Sequence, residues 1–160
     1  MKSFITLLAI IFFNSFHSFS QSTLNIINTE NKKTTFSFKD LQSLPQTTLH
    51  VNAEDGTPHD YSGVEIQMLL TKAGVSFGKE VRRQTLDSYM FIKAADNYSV
   101  VYALTEIDTA FSDKKMILAL TKDDKPLPQN FGPLQIIATG EKKHARLIRQ
   151  VMEIDIRKVE

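Results

Sequence analysis

Beyond residue 20 the apolar residues of this chain come in short runs rich in β-branched and aromatic side chains, and nearly every run stops at Asn, Asp, Gly or Pro. Segments that brief do not make a helical bundle; they suit strands joined by tight turns. The expected strands are Leu24 to Asn28, Thr34 to Phe38, Thr47 to Val51, Tyr89 to Ala95, Ser99 to Leu104, Met116 to Thr121 and Leu134 to Thr139. Asp96 and Asn97, which both tolerate positive φ, make a hairpin of the fourth and fifth, and Asp123-Asp124-Lys125 forms another turn. At the end of the chain Met152, Ile154 and Ile156 alternate with Glu153, Asp155 and Arg157, the pattern of a half-buried strand.

Helices are few in this reading. Leu41 to Pro45 makes one turn stopped by proline. Ser62 and Glu65 have the spacing of a capping box, with Tyr61 and Ile66 as a hydrophobic staple, so a helix is expected from Ser62 to Gly74. Val64, Ile66, Met68, Leu69, Leu70 and Ala73 would supply its buried side. Thr105 and Asp108 are placed to cap a short helix through Ala110. Together these elements predict an α+β domain with β-rich mixed sheets and a few short helices.

Residues 1–20 have the three-part pattern of a signal peptide: Lys2, an apolar stretch from Phe4 to Phe13, then a polar break and the small residues Ser18 and Ser20. The apolar stretch is about half the roughly twenty residues of a membrane span. Cleavage after Ser20 leaves residues 21–160 as one domain, secreted or periplasmic, without a membrane anchor. Removing Lys2 from the 19 basic residues leaves 18, matched by 18 acidic ones, so no overall field attracts nucleic acid. The chain has no cysteine, which excludes thiolate nucleophiles, zinc–thiolate sites, iron–sulfur clusters and disulfides.

Charge is concentrated in one place. Lys142, Lys143, His144, Arg146 and Arg149 follow one another with no acid between them. If this segment were helical, Lys142, Arg146 and Arg149 would share a face and could converge on a phosphate or carboxylate, which the planar guanidinium binds through two oxygens. His50, Asp55, His59 and Asp60 match no metal-ligand spacing and are expected as exposed polar residues around a turn, so no metal site is assigned. Nucleophile-elbow, dinucleotide-binding and P-loop motifs are all absent, and no catalytic residue is assigned.

Several segments together resemble one family. Tyr61-Ser62-Gly63-Val64 with Leu69-Leu70 and Ala73-Gly74-Val75 is similar to the "[WY]xGVxLxxLLxxAGV" segment of the oxidoreductase molybdopterin-binding domain, the sulfite oxidase fold. In the same order, Ala95 to Tyr98 resembles its "ADGY" turn, Lys125 to Pro128 its "GKPLP", and Gly132-Pro133-Leu134 its "GPLRL". Ala145 to Arg149 with Ile154 to Ile156 resembles its "ARxVKWxxxIxV" ending.

The resemblance implies a sulfite oxidase fold in which a molybdopterin cofactor lies against loops that include this ending. By position it places Arg146, Arg149 and Lys143 with Asp96, Asn97 and Tyr98 at the cofactor. It also implies a metal-binding cysteine just after the strand Thr47 to Val51, at about Val51 or Asn52, which this chain lacks. Neither an amide oxygen nor an aliphatic side chain replaces a thiolate electronically. The expectation is a binding domain for a molybdopterin-like or other anionic ligand, without sulfite-oxidase-type catalysis. A molybdopterin oxidoreductase with a non-cysteine metal ligand, and a cofactor-free partner of an exported redox protein, are the two competing readings.

Overall fold

A computed structural model describes residues 22–159 apart from 54 and 79–81; the leader expected over residues 1–20 lies outside these. Ten strands and three α-helices follow in the order β1 (Thr23–Ile27), β2 (Lys33–Ser37), α1 (Phe38–Ser43), β3 (Thr47–Asn52), β4 (Pro58–Glu65), α2 (Ile66–Lys72), α3 (Arg82–Leu86), β5 (Ser88–Ala94), β6 (Ser99–Ala103), β7 (Met116–Lys122), β8 (Lys125–Pro126), β9 (Gln135–Ala138) and β10 (Val151–Lys158). One sheet has the order β2-β1-β10-β5-β6, with only the β1–β10 pair parallel. In the other, β7 is flanked by β4 and then β3 on one side, and by β9 and β8 on the other.

The main core lies between the sheets. Leu24, Ile26, Met90, Ile92, Tyr102, Ile154 and Ile156 from the first sheet pack in one cluster with Val64, Leu118, Leu120 and Ile136 from the second and with Leu69 and Leu70 of α2. A second cluster of Leu49, Tyr61, Ile117, Ala119, Leu127 and Ile137 covers the other face of the second sheet. Burial on both faces explains why Met116 to Leu120 is an unbroken apolar run instead of an alternating one.

The capping box expected at Ser62 is a misreading. Residues Pro58–Glu65 continue as strand β4, and Ser62 pairs with Thr121 while its hydroxyl meets that of Thr48 at 2.7 Å. Gly63 permits this continuation. A Cβ built there would lie 2.0 Å from the Leu118 carbonyl oxygen and 2.6 Å from Ala119 Cα, so β4 approaches β7 more closely than any side chain allows. The carboxylate of Glu65 accepts the Thr47 hydroxyl at 3.2 Å, and α2 starts at Ile66 without a side-chain cap. The helix end is as expected: Gly74 has φ +89° and Val75 N–H donates to Leu70 O at 2.9 Å, closing a Schellman turn.

A true capping box stands at α1. Asp40 N–H donates to the Ser37 hydroxyl at 3.2 Å, and Ser37 N–H donates to the Asp40 carboxylate at 2.8 Å. Two further expectations are corrected. Thr105 caps no helix; a 3-10 turn spans Leu104–Glu106, and Asp108 accepts the N–H groups of Ala110 and Gly78. Met152 is exposed, because a bulge between Val151 and Glu153 shifts the alternation and puts Val151 on the buried face with Ile154 and Ile156.

Three substitutions separate these readings. Gly63→Ala should cost about 3 kcal/mol or more, because the intruding methyl meets backbone that cannot move alone. Ser37→Ala should cost about 1 kcal/mol while Ser62→Ala costs less, reversing the order that the sequence pattern suggests. Urea denaturation of the three variants measures both.

Candidate functional site

The basic segment is not a helix. Only His144–Arg146 makes a 3-10 turn, and the rest is irregular chain leading into β10. Irregular backbone over a core must find partners for its polar groups. Here three successive carbonyls are taken by side chains: Tyr98 OH donates to Ala145 O at 2.9 Å, Tyr102 OH to Arg146 O at 2.6 Å, and Gln135 Nε2 to Leu147 O at 3.4 Å. Further along, Ile136 N–H donates to Ile148 O and Ala95 N–H to Gln150 O.

Arg146 is held from the other side by charge. Its guanidinium donates to Glu106 at 2.8 Å and lies 3.3 Å from Glu141, and Lys114 reaches the same two carboxylates at 2.6 and 2.8 Å. These four alternating charges close a ring beside Tyr102, whose aromatic face lies 3.9 Å from the Arg146 guanidinium carbon. Arg146 also donates to Val101 O at 3.2 Å and so covers part of the free edge of β6. Burial alone would raise the Glu106 pKa, but hydrogen bonds from Lys114 and Arg146 outweigh it and hold the carboxyl below its ordinary 4.5. Burial likewise opposes the charge of Lys114, and its two carboxylate partners overcome that and raise it above 10.5. The Tyr102 hydroxyl is pushed up by burial and then by Glu141, so it stays a proton donor.

With Arg146 occupied, the residues predicted as one site divide. Arg149, Asp96 and Tyr98 line a cleft of about 270 Å³ together with His144, Ala94, Ala145, Leu147 and Ile148. Asn97 is at the exposed hairpin turn with φ +69°, beside the cleft but not lining it, and Lys143 is exposed next to His144. One wall is the β5–β6 turn, shaped by Tyr98 N–H donating to Asp96 Oδ1 at 2.9 Å; the other is the segment from His144 to Arg149. The Arg149 guanidinium stacks 3.8 Å over the Phe131 ring, which fixes its plane. Among the described residues neither Arg149 nor His144 forms an ion pair.

His144 was visible in the sequence as part of the charge run, but its role beside Arg149 was not, since a helical segment would have put Arg146 there instead. The apolar floor of Ala94, Leu147 and Ile148 had no signal beyond ordinary core residues. The histidines noted near residue 55 are strand residues: His50 Nδ1 pairs with Asp60, and His59 Nδ1 with Asp123 at 2.8 Å. No cluster of His, Cys, Asp or Glu among the described residues is arranged to hold a metal, and no described helix is long and apolar enough to cross a membrane.

No protein-family model matches the chain, and no curated protein matches its sequence. Among solved structures, it is similar to the sulfane dehydrogenase SoxCD from Paracoccus pantotrophus, with a TM-score of 0.67 at 17% identity over 87% of this chain. This chain spans 39% of the length of that one. The shared architecture is the α+β, sulfite-oxidase-like fold that the sequence resemblance implies.

That fold brings a molybdenum cofactor into question, and the donor set decides the metal's part. The metal-ligand position of the family corresponds to about Val51 or Asn52. Val51 is half-buried and packs against both apolar clusters, and Asn52 is an exposed amide at the end of β3. Neither offers a thiolate, so these residues do not fit a molybdenum centre of the sulfite oxidase type. The cleft lining holds Arg149 and His144, with Asp96 on its hairpin wall.

Two outcomes follow from the division of the arginines. Arg146→Ala should lower stability by about 1–2 kcal/mol, allowing for its partial exposure, because it leaves Glu106 and Glu141 short of a partner; Arg149→Ala should change it by less than about 0.5 kcal/mol. Thermal or urea unfolding distinguishes them. The ring also sets a pH window. With the Glu106 pKa lowered on folding, its contribution is complete above its ordinary 4.5 and is lost as pH falls through the folded value. With the Lys114 pKa raised, its contribution is complete below 10.5 and is lost as pH climbs through the folded value. Glu106→Gln should therefore be less stable at neutral pH and show a shallower acid loss in urea midpoints measured across that window.

Proposed function

We propose that this chain is an exported binding domain for a small anionic ligand, molybdopterin-like or otherwise bearing a phosphate or carboxylate, and that it works by capture and not by molybdenum chemistry. The observation that carries this is the state of the two arginines. Arg146 is saturated by Glu106 and Glu141, whereas Arg149, a residue of the cleft lining, has its guanidinium stacked on Phe131 and no carboxylate against it among the described residues. A guanidinium pre-oriented in this way binds two oxygens without first ordering its own side chain.

His144 adds an imidazole to the lining of the same cleft, and Lys143, exposed next to it, adds long-range attraction. The apolar floor excludes water from one side of a bound group and strengthens its contacts with the cation. Ligand capture needs no sulfur donor, which agrees with a chain without cysteine. Export agrees with the leader-like pattern of residues 1–20.

The test is a titration of the isotope-labelled protein with inorganic phosphate or propanoate, followed by amide chemical shifts. Saturable changes are expected at residues 95–98 and 144–150, with the affinity reduced about tenfold in Arg149→Gln, as loss of one charged hydrogen-bonding partner gives. Shifts that are absent, or unchanged by that substitution, would refute the anion site.

A further inference from the structure

The edge of a sheet exposes a row of N–H and C=O groups without partners, and proteins usually cover or blunt it. On β6, Arg146 donates to Val101 O and Glu106 accepts Ala103 N–H. On β2, which starts at Lys33, Asp40 accepts Ser37 N–H. Residues 148–151 seal β9 and its approach, through Ile136 N–H to Ile148 O and Val151 N–H to Leu134 O, and β8 is two residues long. The edge strand β3 is treated differently. Ala53 N–H donates to Thr57 O at 2.7 Å, and bonded pairs recur at every second residue of an antiparallel ladder, so Val51, Leu49 and Thr47 spend their backbone groups on β4. Thr48, His50 and Asn52 therefore turn theirs to the open side. Two details agree with this phase. Asp60, opposite His50, uses its carbonyl on Asp123 N–H at 2.8 Å, on the far side of β4, and Pro58, which has no N–H to give, stands opposite Asn52.

Among the described residues nothing takes the backbone N–H or C=O of Thr48, His50 or Asn52, and all three residues are exposed, so these groups face solvent. The strand, Thr47–Asn52, has no Lys, Arg, Pro or Gly and no bulge to blunt it. We propose that β3 joins two copies of this chain, strand to strand, across a two-fold axis at His50. In that antiparallel register His50 pairs with His50 of the second copy and Thr48 with its Asn52, so every open N–H and C=O of both strands finds a partner at once. This match of the strand to itself selects a second copy as the occupant. The cross-strand neighbours are threonine with asparagine and imidazole with imidazole, none like-charged while histidine is neutral. With 18 basic and 18 acidic residues beyond the leader, the copies have no net charge to hold them apart. Leu49 and Val51 keep their places in the apolar clusters, and His50 keeps its contact with Asp60, so the pairing disturbs no side chain of the core.

Analytical ultracentrifugation of the purified protein tests this, carried up to about 1 mM because so few residues a side make a small interface. A monomer–dimer equilibrium is expected. Thr48→Pro removes an N–H that β4 does not use, and His50→Lys sets two ammonium groups opposite each other. Each should weaken dimerisation at least about tenfold while far-UV circular dichroism stays unchanged. Two double variants read the register. Thr48→Lys with Asn52→Asp places opposite charges across the seam and should dimerise as the natural chain does, whereas Thr48→Lys with Asn52→Lys places like charges there and should stay monomeric. A natural chain that remains monomeric at the highest concentration would overturn the proposal, even if the edge then accepts a strand from some other protein. So would a dimer insensitive to Thr48→Pro and His50→Lys, or equal dimerisation of the two double variants.

Discussion

The capture of three consecutive carbonyls, at Ala145, Arg146 and Leu147, decides the shape of the candidate site. A stretch of chain with neither helix nor sheet pairing can cross a core only if each polar group has a partner, and here two tyrosines and a glutamine from three separate places in the sequence supply them. The ring of Lys114, Glu106, Arg146 and Glu141 then locks the same stretch from its outer side. The two devices turn Arg146 toward Tyr102 and Arg149 toward Phe131. A run of positive charge that looks uniform in the sequence is thereby split into a cation tied to two carboxylates and one that stacks on an aromatic ring without a carboxylate partner among the described residues.

Gly63 plays the corresponding part for the second sheet. The close approach of β4 to β7 depends on a residue without Cβ, and it brings Tyr61 and Val64 onto opposite clusters. The glycine within the Tyr61 to Val64 segment, on which the family resemblance partly rests, is thus accounted for by packing against the Leu118 backbone. The resemblance at that segment reports on the fold and carries no information about a bound ligand.

Strands were legible wherever turn chemistry punctuated them. Asn97, Asp123 and Asp124 all have positive φ, at the two hairpins expected for them, and Gly74 ends α2 where its spacing requires. What was not legible depended on partners far away in sequence. The Ser62 to Glu65 spacing has the form of a capping box, but cross-strand pairing with Thr48 and Thr121 prevails over that local pattern. The bulge that exposes Met152 leaves no trace in an alternating sequence. In the candidate site, charge and turn residues marked Arg149 and the Asp96 to Tyr98 turn separately, and only the family resemblance grouped them. The sequestration of Arg146 was hidden because Glu106 is forty positions away.

We read a sulfite-oxidase-like scaffold without a sulfur donor, with Arg149 free of carboxylates among the described residues, as a holder of a ligand and not as a centre for oxygen transfer to molybdenum. The most direct measurement of that claim is native mass spectrometry, with elemental analysis, of the protein isolated from its native host. The account predicts a mature chain that carries a small organic mass, or rebinds one, with no stoichiometric molybdenum. A full equivalent of molybdenum travelling with the folded chain would contradict it.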